Sequence, residues 1–171
     1  MTARVSNGSA LTSLETFSAR GLLARLSATT ADIAPLAARV ALGAVIFPHG
    51  AQKVLGWFGG YGFAGTMGFM TGQLGIPAVF AALAIAAEFF GAIGLVVGAF
   101  SRVAAFGIAV TMAVAALMVH TKAGFFMNWT GTQAGEGFEY HLLAIGLAVV
   151  VMLKGSGAYS LDRLIGRRLA Q

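Results

Sequence analysis

Apolar residues dominate four stretches of this chain, at about 33–54, 77–100, 103–120 and 140–153. Each approaches the ~20 residues an α-helix needs to cross a bilayer. The first stretch carries Arg39 and His49. The second opens at Pro77, a favoured first-turn residue, and has Glu88 near its middle. The third holds no Asp, Glu, Lys or Arg, and the fourth begins at Tyr140. Only Ser101 and Arg102 separate the second and third, which predicts a tight helical hairpin. The other two connections, 56–76 and 122–138, are rich in glycine and aromatics, and Trp57 and Trp129 fall where interfacial aromatics are expected. Within the first connection, residues 63–74 are predicted as a short interfacial helix.

Composition agrees with lipid as the main solvent. The chain of 171 residues is 58% hydrophobic and 10% charged, with a mean hydropathy of +0.83. A soluble domain carries about 25% charged residues, because its surface needs them. The expected fold class is therefore all-α, a polytopic membrane four-helix bundle. The absence of cysteine excludes disulfides, thiolate metal sites and cysteine nucleophiles.

A net charge of +5 does not point to nucleic acid, because the basic residues flank apolar spans. Arg4, Arg20, Arg25, Arg102, Lys154, Arg163, Arg167 and Arg168 fall on one side, against Lys53 and Lys122 on the other. That bias predicts both termini in the cytoplasm and a multi-pass protein of a bacterial inner membrane. The expected organisation is a cytoplasmic arm over 1–31, a four-span domain over 32–155 and a basic cytoplasmic tail over 156–171. Thr12 to Glu15 have capping-box spacing, which predicts an amphipathic interfacial helix over 12–27. A second such helix is expected over 161–169. The Arg- and Ser-rich start also keeps a mitochondrial transit peptide open.

Ionisable residues inside a span are costly and invite functional hypotheses. Counting inward from His49 and from Pro77 places Arg39 and Glu88 at similar depth on adjacent helices, which predicts a buried ion pair. It would be a packing staple or a proton- or substrate-handling pair. A second polar group gathers at the outer face. His49 and Lys53 share a helix face with Gln52 alongside, His120 ends the third span, and Glu139 and His141 open the fourth. These residues would snorkel to head groups, hold a quinone head group through proton-carrying histidines, or bind a metal through His49, His120 and Glu139 or His141. No HxxH or HExxH spacing supports the metal. Gly94 and Gly98 form a GxxxG motif expected to serve packing within the bundle or dimerisation. The loop glycines do not form a nucleotide fingerprint.

The segment from Arg39 through HGAQKVLGWFGGYGF resembles the opening signature of the DoxX family. The likeness continues in AAEFFGAIGLVVGAFSRVAA around Glu88, in HTKAGFF from His120, in GEGFEYHLL from Gly135 and in GSGAYSLDRLI from Gly155. It covers residues 35–165. The resemblance implies a four-helix membrane bundle. It also implies a link to membrane redox chemistry, since the family takes its name from a subunit associated with a thiosulfate:quinone oxidoreductase and other members look like partners of oxidative-stress enzymes. A redox-enzyme partner and a bound quinone are expectations of that kind, while a homo-oligomer is the option that the GxxxG motif leaves open. The motif positions are Arg39, His49, Gly50, Gln52, Lys53, Glu88, Arg102, His120, Glu139 and Asp162, and the resemblance gives none of them a catalytic role. A membrane anchor and a small transporter or metal-handling protein are the competing functions.

Overall fold

A computed structural model describes residues 19–169, and the expected capping box at Thr12 to Glu15 lies outside them. Among the described residues the elements are helical: α1 (Ala19–Leu26), α2 (Ile33–Leu55), α3 (Gly62–Gly68), α4 (Ala78–Val97), α5 (Ser101–Met118), α6 (Glu139–Lys154) and α7 (Leu161–Leu169). Short 3₁₀ turns follow α2 at Trp57–Gly59 and α5 at His120–Ala123, and α3 runs into a π-helical turn at Phe69–Gln73.

The long helices pack in a ring, α2 on α4, α4 on α5, α5 on α6 and α6 back on α2. Buried positions recur at spacings of three and four, as in Ala81, Ile85, Glu88, Ala92 and Leu95 on α4 and Ser101, Ala105, Ile108, Met112 and Ala116 on α5. The interior is rich in alanine, whereas Phe80, Phe90, Phe106, Leu117, Leu143 and Leu153 point outward and are exposed. Small residues inside let helix backbones approach, and large apolar residues outside suit lipid. Three helices, α2, α4 and α5, are long and apolar enough to cross a membrane. At 16 residues, α6 is about 24 Å long, shorter than a hydrocarbon layer of about 30 Å.

The closest crossing runs through α2. A Cβ added to Gly50 would lie 2.6 Å from the Phe89 Cα, and one on Gly43 2.9 Å from the Ala92 carbonyl oxygen. The glycines at and just before the GxxxG motif have different jobs. Gly91 and Gly94 face Ala104 on α5, consistent with packing inside the bundle. Gly98 terminates α4 instead: at φ 72° it closes a Schellman turn in which Gly98 N donates to the Leu95 carbonyl and Ala99 N to the Gly94 carbonyl. Residues 98–100 then make the hairpin, with Phe100 also at positive φ, and Ser101 and Arg102, expected as the connection, open α5 instead.

Candidate functional site

Two buried polar centres lie at opposite ends of the ring. At the end bearing α1 and α7, Arg39 is 1% exposed and spends all three nitrogens on backbone carbonyls. Its Nε donates to Ser156 (2.8 Å), its Nη1 to Leu95 and Val96 (both 2.6 Å), and its Nη2 to Tyr159 (2.8 Å) and Ala158 (3.3 Å). A guanidinium thus caps the C-terminal turn of α4, where unpaired carbonyls and the helix dipole favour a cation. Asp162 performs the opposite service for α5. It is 1% exposed, and its carboxylate accepts from Phe100 N (2.7 Å), Ser101 N (3.0 Å) and the Ser156 hydroxyl. The segment over 155–160 is drawn into the bundle by these contacts and by Ala158 N donating to the Asp32 carbonyl (2.8 Å).

The expected Arg39–Glu88 pair therefore does not form. Glu88 pairs with Lys53 instead. The error lies in the depth count. Glu88 and Phe89 sit against Gly50, and eleven residues, about 16 Å of helix, separate Gly50 from Arg39. Helix α2 continues through Pro48 to Leu55, so His49 does not mark the same plane as Pro77.

The second centre gathers around that Lys53–Glu88 pair, with the Glu88 side chain 4% exposed. Glu88 lies within electrostatic reach of His49 and of Tyr140. The rings of His49 and Tyr140 stand 5.9 Å apart, and those of His120 and His141 4.2 Å apart. His120 Nδ1 lies 2.8 Å from the Glu136 carbonyl oxygen, an acceptor, so Nδ1 is the donor in this contact. Two atoms here are buried with no hydrogen-bond partner among the described residues: the Tyr140 hydroxyl oxygen and His141 Nδ1. Buried polar atoms nearly always have partners, so two neighbouring exceptions call for an explanation.

Of the residues singled out from sequence, His49, Lys53, Glu88, His120 and His141 converge here. Gln52 and Glu139 do not. Gln52 donates to the Phe58 carbonyl (3.3 Å) and holds the turn after α2. Glu139 accepts from Met127 N and from the Trp129 indole, both at 3.1 Å, and so anchors the loop before α6. A two-residue separation turns His141 inward while leaving Glu139 on the loop side. Among the described residues no group of three His, Cys, Asp or Glu is placed to hold a metal ion. Tyr140 was missed because it stood at the edge of an apolar stretch. The EYH run, three polar-tipped residues opening a helix, was the available signal.

No curated protein and no solved structure matches the chain. Two family models do: one described as DoxX over residues 34–121, and one described as TQO small subunit DoxD over residues 78–171. The first covers half of the chain and includes α2, α4 and α5, three helices with the length and composition of membrane spans. This chain is a multi-pass membrane protein and belongs to the DoxX family.

Proposed function

We propose that this protein is the membrane subunit of a quinone-linked oxidoreductase, and that the centre around Glu88, Tyr140 and His141 receives the quinone head group. The observation that carries this reading is the pair of orphaned buried polar atoms, Tyr140 Oη and His141 Nδ1. A quinone offers two carbonyl oxygens, and a phenol and an imidazole are suitable donors to them. His49, whose ring neighbours Tyr140, and the His120–His141 pair place further ring nitrogens beside them that can give or take a proton. The Lys53–Glu88 pair adds a carboxylate beside them. A bound quinone would supply the two-electron chemistry, and these side chains would orient it and move its protons. The description TQO small subunit DoxD supports a larger partner protein as the electron source.

The same proposal includes four spans, both termini in the cytoplasm and a bacterial inner membrane. Helix α6 is short, but it matches α5 at both ends. His120 follows α5 with its ring tilted beside that of His141, and Arg102, at the start of α5, donates to the Met152 and Leu153 carbonyls at the end of α6. A membrane crossed by α5 would thus be crossed by α6. The Lys/Arg bias supports an inside location for the α1 and α7 end. Because the chain has no cysteine, single introduced cysteines report orientation cleanly. Thr132→Cys should react with an impermeant maleimide from outside, and Arg168→Cys only after permeabilisation.

The functional test is purification in mild detergent followed by extraction and mass spectrometry of bound quinones. A near-stoichiometric quinone, reduced in His141→Gln and Tyr140→Phe, is the expected result. A purified protein free of quinone, holding one partner tightly, would replace this reading with a membrane anchor.

A further inference from the structure

A cavity of about 450 Å³ lies between α1 and α7, lined by Ser27, Ala28 and Thr29 on one side and by Arg163, Gly166 and Arg167 on the other. A second cavity, of about 350 Å³, lies on the other side of the same arginines and is lined by Val97, Leu161 and Leu164. Arg163 and Arg167 are four residues apart and share one face of α7. Neither guanidinium has an acceptor among the described residues. The one acidic residue of α7, Asp162, is buried and committed to the start of α5. The Thr29 hydroxyl accepts from Gly157 N and keeps its own proton to donate.

The shape divides by polarity. The α1–α7 side presents the Thr29 hydroxyl and guanidinium groups, while the α4 side presents Val97, Leu161 and Leu164, all exposed and continuous with the outward face of α4. A ligand that fits both has an anionic head and apolar tails. Two arginines on adjacent turns suit a phosphate, whose oxygens accept paired guanidinium hydrogen bonds.

We propose that these two cavities, which share Arg163 and Arg167 in their walls, together bind an anionic phospholipid, its phosphate head group between Arg163 and Arg167 and its acyl chains along α4. The site lies at the opposite end from the quinone centre and does not rest on that reading. The amphipathic α7 is then more than a helix resting on the surface: it closes over one particular lipid.

The test is native mass spectrometry of the full chain in detergent, titrated with phosphatidylglycerol, with phosphatidylcholine and inorganic phosphate as comparators. Phosphatidylglycerol should be retained about ten-fold more than phosphatidylcholine, and Arg163→Gln with Arg167→Gln should remove that advantage. Gly166→Leu provides a second, charge-neutral variant. A Cβ there meets nothing closer than the Ser27 carbonyl oxygen at 3.6 Å, so the helix tolerates it while the longer side chain fills the cavity. It too should lose the lipid. Equal retention of both lipids, or undiminished binding by Gly166→Leu, would overturn the proposal. So would inorganic phosphate displacing phosphatidylglycerol at equal concentration, which would make this a site for soluble anions.

Discussion

The two buried polar centres differ in how completely their atoms are satisfied. Around Arg39 and Asp162, every guanidinium nitrogen and both carboxylate oxygens have partners, mostly backbone groups at helix ends. Around Glu88, one ion pair is made but a tyrosine hydroxyl and an imidazole nitrogen are not used. A polar network that is closed rigidifies and specifies packing. One left open at a cost to stability points to a ligand. Sequence treats Arg39 and Glu88 as equivalent anomalies, and only their partners distinguish a fastener from a site.

The comparison can be broken at several points. Arg39→Leu should have the largest effect, a loss of about 3–5 kcal/mol in folded stability, since it strips acceptors and uncovers a buried carboxylate. Thermal unfolding in detergent measures it, and quinone bound per folded molecule should not change. If quinone is lost instead, the two ends are not separate in function. Gly50→Val should cost about 1–3 kcal/mol, because its side chain meets the Phe89 backbone and neither helix can yield freely. This variant should also weaken quinone retention by shifting Glu88.

A smaller effect distinguishes the partners of Glu88. In a double-mutant cycle, Lys53→Gln and Glu88→Gln should couple by about 0.5–3 kcal/mol, while Arg39→Gln and Glu88→Gln should add within about 0.5 kcal/mol. Additive behaviour of the first pair would mean that the ion pair does not hold in detergent. The least change in stability belongs to Tyr140→Phe. Removing an unpartnered hydroxyl should leave unfolding unchanged or raise stability by about 1 kcal/mol, yet quinone retention should fall. Destabilisation of the quinone-free protein would show that the hydroxyl already has a partner, and the contrast between the two ends would weaken.

The helices were legible because lipid imposes long apolar runs that end in glycine, proline or charge. Pro77, Gly98 and Gly155 all mark ends that the structure shows. Depth was not legible, because it depends on where two helices cross, and Gly43 and Gly50 gave no pattern as plain as the GxxxG of α4. Asp162 looked like an acid in a basic surface helix. Its burial depends on the turn over 155–160 passing under α4 and α5, with positive φ at Gly155, Gly157 and Tyr159. At the other end, His49, His120 and His141 were visible as one layer. That Glu139 and His141 part company was legible in their spacing of two, but which of them turned inward followed from the loop before α6, whose folding no periodicity encodes.

The fastening around Arg39 also sets an order of events during biosynthesis. The carbonyl that accepts from Arg39 Nε lies 117 residues further along the chain. While α2, α4 and α5 leave the ribosome, this arginine has only the end of α4 to bind, and the start of α5 has no carboxylate. The end of the bundle that carries α1 and α7 can close only when residues 155–162 arrive. A nascent chain stalled before that point would carry an open, water-accessible arginine among its helices, a recognisable mark of incompleteness for membrane quality control.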